Sequence, residues 1–134
     1  MEKESIYLDT SVPSAYYDER AKERMDSTIK FWKEVLPLYN TYISEVTVRE
    51  LEDTKDEKLK IKFRHLIKDF NILNEQKAII DLARIYIENG IFPEKYFDDA
   101  IHVAIVSYYK ISYLVSWNYE HLVKVKTRKN ISSV

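Results

Sequence analysis

Short apolar runs alternate along the chain with longer segments in which apolar residues recur at helical spacing. The short runs predict strands, at residues 5–8, 41–44, 71–73 and 112–116. The longer amphipathic segments predict helices, at residues 24–39, 46–53, 57–70, 76–88 and 97–109. Shorter helical stretches are expected after the first and last strands, at residues 12–17 and 118–125. This alternation favours an α/β protein with a parallel sheet that is covered on both faces.

The composition is that of a globular chain and removes several classes of function. The 134 residues suit a single domain, residues 1–134, with a hydrophobic core of its own. The only glycine, Gly90, excludes glycine-rich phosphate loops, and the absence of cysteine excludes disulfides and cysteine-bound zinc. Because the formal net charge is −1, nucleic-acid binding would need a local basic patch.

No segment has the character of a membrane or export sequence. The apolar runs are too short to cross a bilayer. The first residues, M-E-K-E-S, do not resemble a signal peptide. We therefore expect a cytoplasmic protein.

Acidic residues follow the predicted strands at several distant places. Asp9 comes directly after the first strand, Glu50 lies in the helix after the second, and Asp99 lies in the first turn of the helix at 97–109. Asn118 follows the last strand. Ligands of parallel sheets bind beyond the carboxyl ends of the strands. Carboxylates gathered there would repel one another without a cation, and oxygen ligands favour Mg²⁺ or Mn²⁺.

Each acid also has a purely structural explanation. Asp9 could be a turn residue and Glu50 a solvated helix residue. Asp99 could cap its helix, and Asp98 competes for that position. The order of the acids along the chain is what favours a shared site.

Four motifs carry a resemblance to a known family. They read I-Y-L-D-T-S-V-P-S-A-Y-Y-D, I-S-E-V-T-V-R-E-L, D-D-A-I-H-V-A-I-V and L-V-S-W-N-Y-E-H-L, and together they span nearly the whole chain. The chain resembles PIN domains, most of all the VapC-type toxins of toxin–antitoxin pairs. The resemblance implies a three-layer α/β/α sandwich with a short parallel central sheet. It also implies an Mg²⁺- or Mn²⁺-dependent endoribonuclease that cuts single-stranded RNA, is held inactive by an antitoxin and forms a homodimer.

The resemblance also implies roles for particular residues. Asp9, Glu50 and Asp99 match the family's metal-binding acids, and Asn118 would orient a water or a ligand. Two hydroxyl residues, Thr10 and Ser11, would lie beside the metal and bind its water or a phosphate. The basic run near the end of the chain, with Lys124 and Lys126, would contact RNA.

The fourth position of the site departs from the family. Members often carry a further aspartate three residues after the position of Asn118, where this chain has His121. Histidine does not replace the charge of a carboxylate, and Glu120 is one position away. The site is therefore expected to hold one metal well and a second only with a substrate phosphate.

Other interpretations remain open at this stage. A degenerate PIN module could bind RNA or a protein partner without cutting. An aspartyl-phosphate phosphatase is disfavoured, because the second acid of its D-x-D motif is replaced by Ser11. His102 could reach the site but is more typical of a packed helix residue.

Two surfaces could serve as contacts with partners. The basic residues of the segment 55–68 interleave with acids and favour a solvated helix face over RNA contact. Aromatic residues such as Tyr16, Tyr17 and Trp117 could stack on RNA bases, although most of the tyrosines are expected to serve in packing. Aromatic residues of the early helices could instead line the antitoxin groove that the family implies: Tyr16, Tyr17, Phe31 and Trp32.

Overall fold

The strands of the chain form one parallel β-sheet within the described residues. The computed structural model describes residues 3–118. Within them the strands are β1 (Ser5–Leu8), β2 (Asn40–Ser44), β3 (Asn71–Leu73) and β4 (Tyr113–Val115). Their order is β3-β2-β1-β4, and every neighbouring pair is parallel. The predicted α/β class with a short parallel sheet is therefore confirmed.

Helices occupy most of the chain between the strands. In the described part they are α1 (Ser11–Ala15), α2 (Lys22–Glu34), α3 (Glu45–Glu52), α4 (Glu57–Ile67), α5 (Lys77–Glu88) and α6 (Phe97–Tyr109). Short 3₁₀ turns occur at Glu19–Ala21, Leu36–Leu38 and Glu94–Tyr96. No helix among residues 3–118 combines the length and apolar character needed to cross a bilayer.

The predicted helix at 24–39 is wrong at its C-terminal end. Helix α2 ends at Glu34, and a 3₁₀ turn with Pro37 follows it. Proline lacks a backbone N–H and disfavours α-helical geometry at the residue before it. The apolar spacing of the sequence continues through this turn, which is why the pattern alone extended the helix too far. The helix predicted at 118–125 falls almost entirely outside the described residues.

The chain forms two compact units. Unit 1 contains residues 3–74 and Ser112–Trp117, and therefore the whole sheet with helices α1 to α4. All of Ile6, Tyr7 and Leu8 in β1 are buried, as expected for a strand that is covered on both faces. The unit's hydrophobic core extends from β1 to the buried side of α4, where Phe63 lies.

Unit 2 contains Glu75–Ile111 and Asn118 among the described residues, and its main feature is the pair α5 and α6. The contact between these helices is formed by small and aliphatic side chains such as Ile79, Ala83 and Ala104, which are fully buried. The hydroxyl of Tyr86 on α5 donates a hydrogen bond to Ser107 on α6 over 3.1 Å. This pair presents Asp99 at the first turn of α6.

Candidate functional site

Asp9 lies where β1 ends, beside the end of β4. Its backbone N–H donates to the Val115 carbonyl over 3.3 Å, and only 4% of the residue is exposed. The buried carboxylate accepts hydrogen bonds from the N–H and hydroxyl of Ser11 on one oxygen and from the hydroxyl of Ser116 on the other. These donors compensate a buried charge that would otherwise be costly.

The hydrogen bond from the Ser11 N–H to the Asp9 side chain forms an Asx turn. The interpretation of Asp9 as a turn residue is therefore correct in part. A turn does not require the bond from Ser116, which comes from the far end of the chain. The Ser11 hydroxyl also accepts from the Trp117 backbone N–H over 2.8 Å. Asp9 is therefore the centre of a network that joins the start of α1 to the segment after β4.

Glu50 reaches the same region from α3. This helix begins directly after β2, and the Ser44 side chain caps it by accepting from the Thr47 N–H over 3.5 Å. The half-buried carboxylate of Glu50 accepts a hydrogen bond of 2.6 Å from the Thr10 hydroxyl. Glu50 is thus bound to the residue next to Asp9 and is not a freely solvated helix residue.

The charges of Asp9 and Glu50 both influence the pKa of one buried phenol, that of Tyr7. Tyr7 is fully buried, and its hydroxyl donates to Ser44 over 2.8 Å. Burial raises the pKa of Tyr7, hydrogen bonding with the side chains of Ser44 and Thr47 lowers it, and the charges of Asp9 and Glu50 raise it.

Asp99 and Asn118 are brought together in unit 2. The Asn118 amide donates to the Asp99 carboxylate over 3.5 Å. Neither Asp98 nor Asp99 is the N-cap residue of α6, since Tyr96 holds that position and its side chain makes no capping hydrogen bond. The cap interpretation of Asp99 is therefore wrong. His102 is 4% exposed, which fits a packed helix residue.

The structure has solved relatives of similar fold. VapC20 of Mycobacterium tuberculosis, a sarcin–ricin loop cleaving toxin, matches with a TM-score of 0.68 and 13% identity over 88% of this chain and 93% of the other. FitAcB of Neisseria gonorrhoeae matches with a TM-score of 0.61 and 18% identity over 90% of this chain and 93% of the other. No protein-family model and no curated protein sequence matches the chain. The chain has a VapC-type PIN-domain fold. The fold that the motifs predicted is thereby confirmed.

The PIN fold raises the question of whether these residues suit a divalent metal. Among residues 3–118, no group of three or more histidine, aspartate or glutamate side chains is arranged to hold a metal ion. Unit 1 offers the carboxylates of Asp9 and Glu50 together with hydroxyl oxygens. Mg²⁺ in proteins is typically bound by one or two carboxylates, with water and substrate phosphates completing its coordination. The donors therefore fit a hard divalent ion, while the three-acid set with Asp99 stays a prediction.

Several predicted contact residues cannot be placed in this PIN fold. Glu120, His121, Lys124 and Lys126 lie outside the described residues. The prediction that the terminal basic run contacts RNA therefore stays a prediction.

The basic segment before β3 is described and forms part of α4. Arg64 makes two 2.7 Å hydrogen bonds to the Glu52 carboxylate, and Lys60 lies 3.3 Å from Glu57. The hydrogen bonds from Arg64 lower the pKa of Glu52. These pairs agree with a solvated helix face whose charges are largely compensated.

Aromatic rings of the early helices gather on unit 1. The ring of Tyr16 contacts Tyr17 and Trp32 edge to face, at centroid distances of 4.8 and 5.2 Å. The ring of Tyr17 also lies 5.8 Å from Phe63 of α4. A cavity of about 560 Å³ borders Tyr17 and Phe63.

The sequence pattern did not point to all of the residues that fix the acids in place. Ser116 and Tyr7 carried no predicted role at the site, and Trp117 was expected only as a surface on which a base could stack. The available signal was positional: Ser116 follows its strand just as Asp9 follows the parallel neighbour. Polar residues after adjacent parallel strands lie at one sheet edge.

Proposed function

We propose that this protein is a divalent-metal-dependent endoribonuclease that cleaves single-stranded RNA by attack of water on a phosphodiester. The observation that carries the proposal is the buried Asp9 carboxylate at the end of β1, held by hydroxyls and close to Glu50, in a PIN fold. The VapC20 structure supports it, because that protein is a toxin that cleaves the sarcin–ricin loop.

Asp9, Glu50 and Asp99 would hold Mg²⁺ or Mn²⁺. When bound, such an ion lowers the pKa of a coordinated water and stabilises charge on a phosphate. The hydroxyls of Ser11 and Thr10 hold the Asp9 and Glu50 carboxylates in fixed orientations. Such preorganisation avoids the cost of aligning charged groups during reaction.

The remaining residues contribute to positioning the substrate. The Asn118 amide is near Asp99 and can orient a water or an RNA oxygen. Thr10 and Ser11 stand beside the acids and can also contact a phosphate. Lys124 and Lys126 would attract the RNA backbone through their charge.

The same proposal includes a partner. We assign the protein as the toxin of a toxin–antitoxin pair, acting as a homodimer, on the strength of its VapC-type fold. The aromatic residues Tyr16, Tyr17, Trp32 and Phe63 supply rigid apolar area of the kind that receives a partner's helix. Phe31, which was also expected at this groove, lines a cavity together with Trp117.

A second candidate function is a PIN module that binds RNA or a protein without cutting. The observation that favours it is the lack of a three-residue metal-binding group within residues 3–118. This candidate predicts RNA binding without metal-dependent cleavage.

Cleavage of labelled single-stranded RNA separates the two candidates. With Mn²⁺ present, the wild type should cleave, while Asp9→Asn and Asp99→Asn should lose at least about a hundredfold in rate, because each removes a charged group from the site. Asp98→Asn is the matched control, since Asp98 is exposed in the same helical turn as Asp99. Wild-type rates in both site variants would refute the assignment, and RNA binding without cleavage by the wild type would favour the second candidate.

A further inference from the structure

A cavity of about 350 Å³ lies beside the Asp9 network in unit 1. Its walls come from α1, α2 and the end of β4, and they include Ser27, Phe31, Ser116 and Trp117. Ser116 belongs to the wall and also donates its hydroxyl to Asp9. The cavity therefore borders the hydrogen-bond network of Asp9, which both Ser116 and Trp117 join.

We infer that this cavity receives an unpaired nucleobase of the RNA, next to the phosphate that is cleaved at Asp9. The inference rests on the proposed function and adds to it a binding site for the substrate. If the cavity receives this base, its shape and hydrogen-bonding groups determine which base is preferred beside the cleaved phosphate.

The aromatic wall of the cavity is held rigidly. The Trp117 indole N–H donates to the Thr28 hydroxyl over 2.9 Å, and its backbone N–H donates to Ser11. Thr28 is itself buried, and its hydroxyl donates to the Arg24 carbonyl over 2.7 Å. A ring fixed at both its backbone and its side chain loses little freedom when a base stacks on it.

The walls offer both the stacking surface and the hydrogen-bonding groups that a base requires, with apolar surface added by Val12 and Val115. Trp117 and Phe31 provide aromatic surfaces, and the hydroxyls of Ser27 and Ser116 provide hydrogen-bonding groups for the edge of a base. Base–aromatic stacking is worth about 1–3 kcal/mol per base and is available to every base. The volume also lies within the range of about 300–1,000 Å³ typical of small-ligand pockets.

A positive charge lies at the same place. The Arg24 guanidinium stands 5.3 Å from the centre of the Trp117 ring, and Arg24 is exposed. An arginine stacked on an aromatic ring remains charged and can still bind a phosphate. A stacking surface in the cavity wall thus lies next to a cation, as expected at a site for a nucleotide.

The test fills the cavity without touching the acids. Ser27→Leu adds an apolar branch at an exposed wall position, and Ala78→Leu adds similar bulk at an exposed position of α5 that is not in the wall. Each protein cleaves a random-sequence single-stranded RNA with Mn²⁺, and the cut ends are sequenced. Wild type and Ala78→Leu should share one base preference beside the cut. Ser27→Leu should lose that preference and show a KM about tenfold higher, the loss expected from one base stack.

A second measurement separates this inference from the proposed function and does not depend on cleavage. Because the chain has 2 tryptophans, Trp32→Phe leaves Trp117 as the only indole. Its fluorescence is titrated with the same RNA in the absence of metal, with and without Ser27→Leu. Quenching that Ser27→Leu removes would support the base site even if the wild type cleaves no RNA.

Two results would overturn the proposed base site. Cleavage by Ser27→Leu with unchanged KM and base preference would overturn the base site and leave the proposed function intact. Absence of quenching by RNA would also overturn it. If a partner protein quenches Trp117 where RNA does not, the cavity is a protein-binding site.

Discussion

At the scale of single residues, hydroxyl groups organise the polar interior. Among residues 3–118, every buried side-chain nitrogen or oxygen has a hydrogen-bond partner. Tyr7 donates to Ser44, Ser11 donates to Asp9, and Tyr86 donates to Ser107. A hydroxyl both donates and accepts, so a chain of them can satisfy a buried carboxylate without adding a second charge.

Tyr86→Phe tests such a bond away from the candidate site. It should lower the free energy of unfolding by about 1 kcal/mol, because Ser107 loses its partner in a buried setting. Urea unfolding measures the change, with Tyr108→Phe as a control at an exposed position of the neighbouring helix. Equal effects of the two variants would contradict a special role for the buried bond.

The same variant should alter the response to alkaline pH. Burial raises the pKa of Tyr86 above its ordinary value near 10. The folded state then holds a proton that the unfolded state releases, so stability from this group is complete below pH 10 and falls as pH rises further. Replacing the tyrosine removes a slope of up to about 1.4 kcal/mol per pH unit. Unfolding midpoints measured from pH 8 to about 11 should fall less steeply in Tyr86→Phe.

Some residues of the candidate site could be predicted from their chemical type and position, and others could not. Asp9, Glu50 and Asp99 were identified because a charge at the end of an apolar run is unusual. Ser116 was missed because a serine after a strand is ordinary, and its importance depends on which strand lies next to it. The pairing of β4 with β1 is a property of the folded sheet and is not visible in the sequence pattern.

At the scale of elements, the periods of the sequence predicted all the strands and most helix positions. The helix ends depended on local chemistry that periodicity does not contain. The turn that contains Pro37 makes α2 end earlier than the apolar spacing predicts. Helix α4 begins after Asp56, whose side chain accepts hydrogen bonds from the N–H groups of Lys58 and Leu59. The order β3-β2-β1-β4 could not be read from spacing, because the pairing of β1 with β4 joins opposite ends of the chain.

The cap of α4 offers a prediction at this scale. Asp56→Ala should destabilise the protein by about 1 kcal/mol, because two N–H groups of the first turn lose their acceptor. Thermal unfolding measures the change. Asp69→Ala, at an exposed position after the helix, should have a much smaller effect. A larger effect at Asp69 would show that the cap is not the stabilising feature.

At the scale of the whole molecule, the fold was predictable from the order of four motifs and not from any one of them. The fold that this order predicts is confirmed by the solved relatives. The predicted metal ligands divide between the two compact units, with Asp9 and Glu50 in unit 1 and Asp99 in unit 2.

Calorimetric titration of Mn²⁺ into metal-free protein addresses this set directly. Wild type and Asp98→Asn should release the same heat, and Asp99→Asn should bind at least about tenfold more weakly because it removes a charged ligand. Undiminished binding by Asp99→Asn would exclude Asp99 from the metal site. No binding to the wild type would favour the second candidate function.

The bond from Ser116 to Asp9 also has a consequence for biosynthesis. It joins residues 107 positions apart, and the N–H of Asp9 is bound to Val115 at the same place. A nascent chain on the ribosome can pair β1 with β2 early, but it leaves the Asp9 carboxylate without this support until residue 116 has emerged. We expect the candidate site to be completed at a late stage of translation, so unfinished chains that end before residue 116 should lack the activity proposed above.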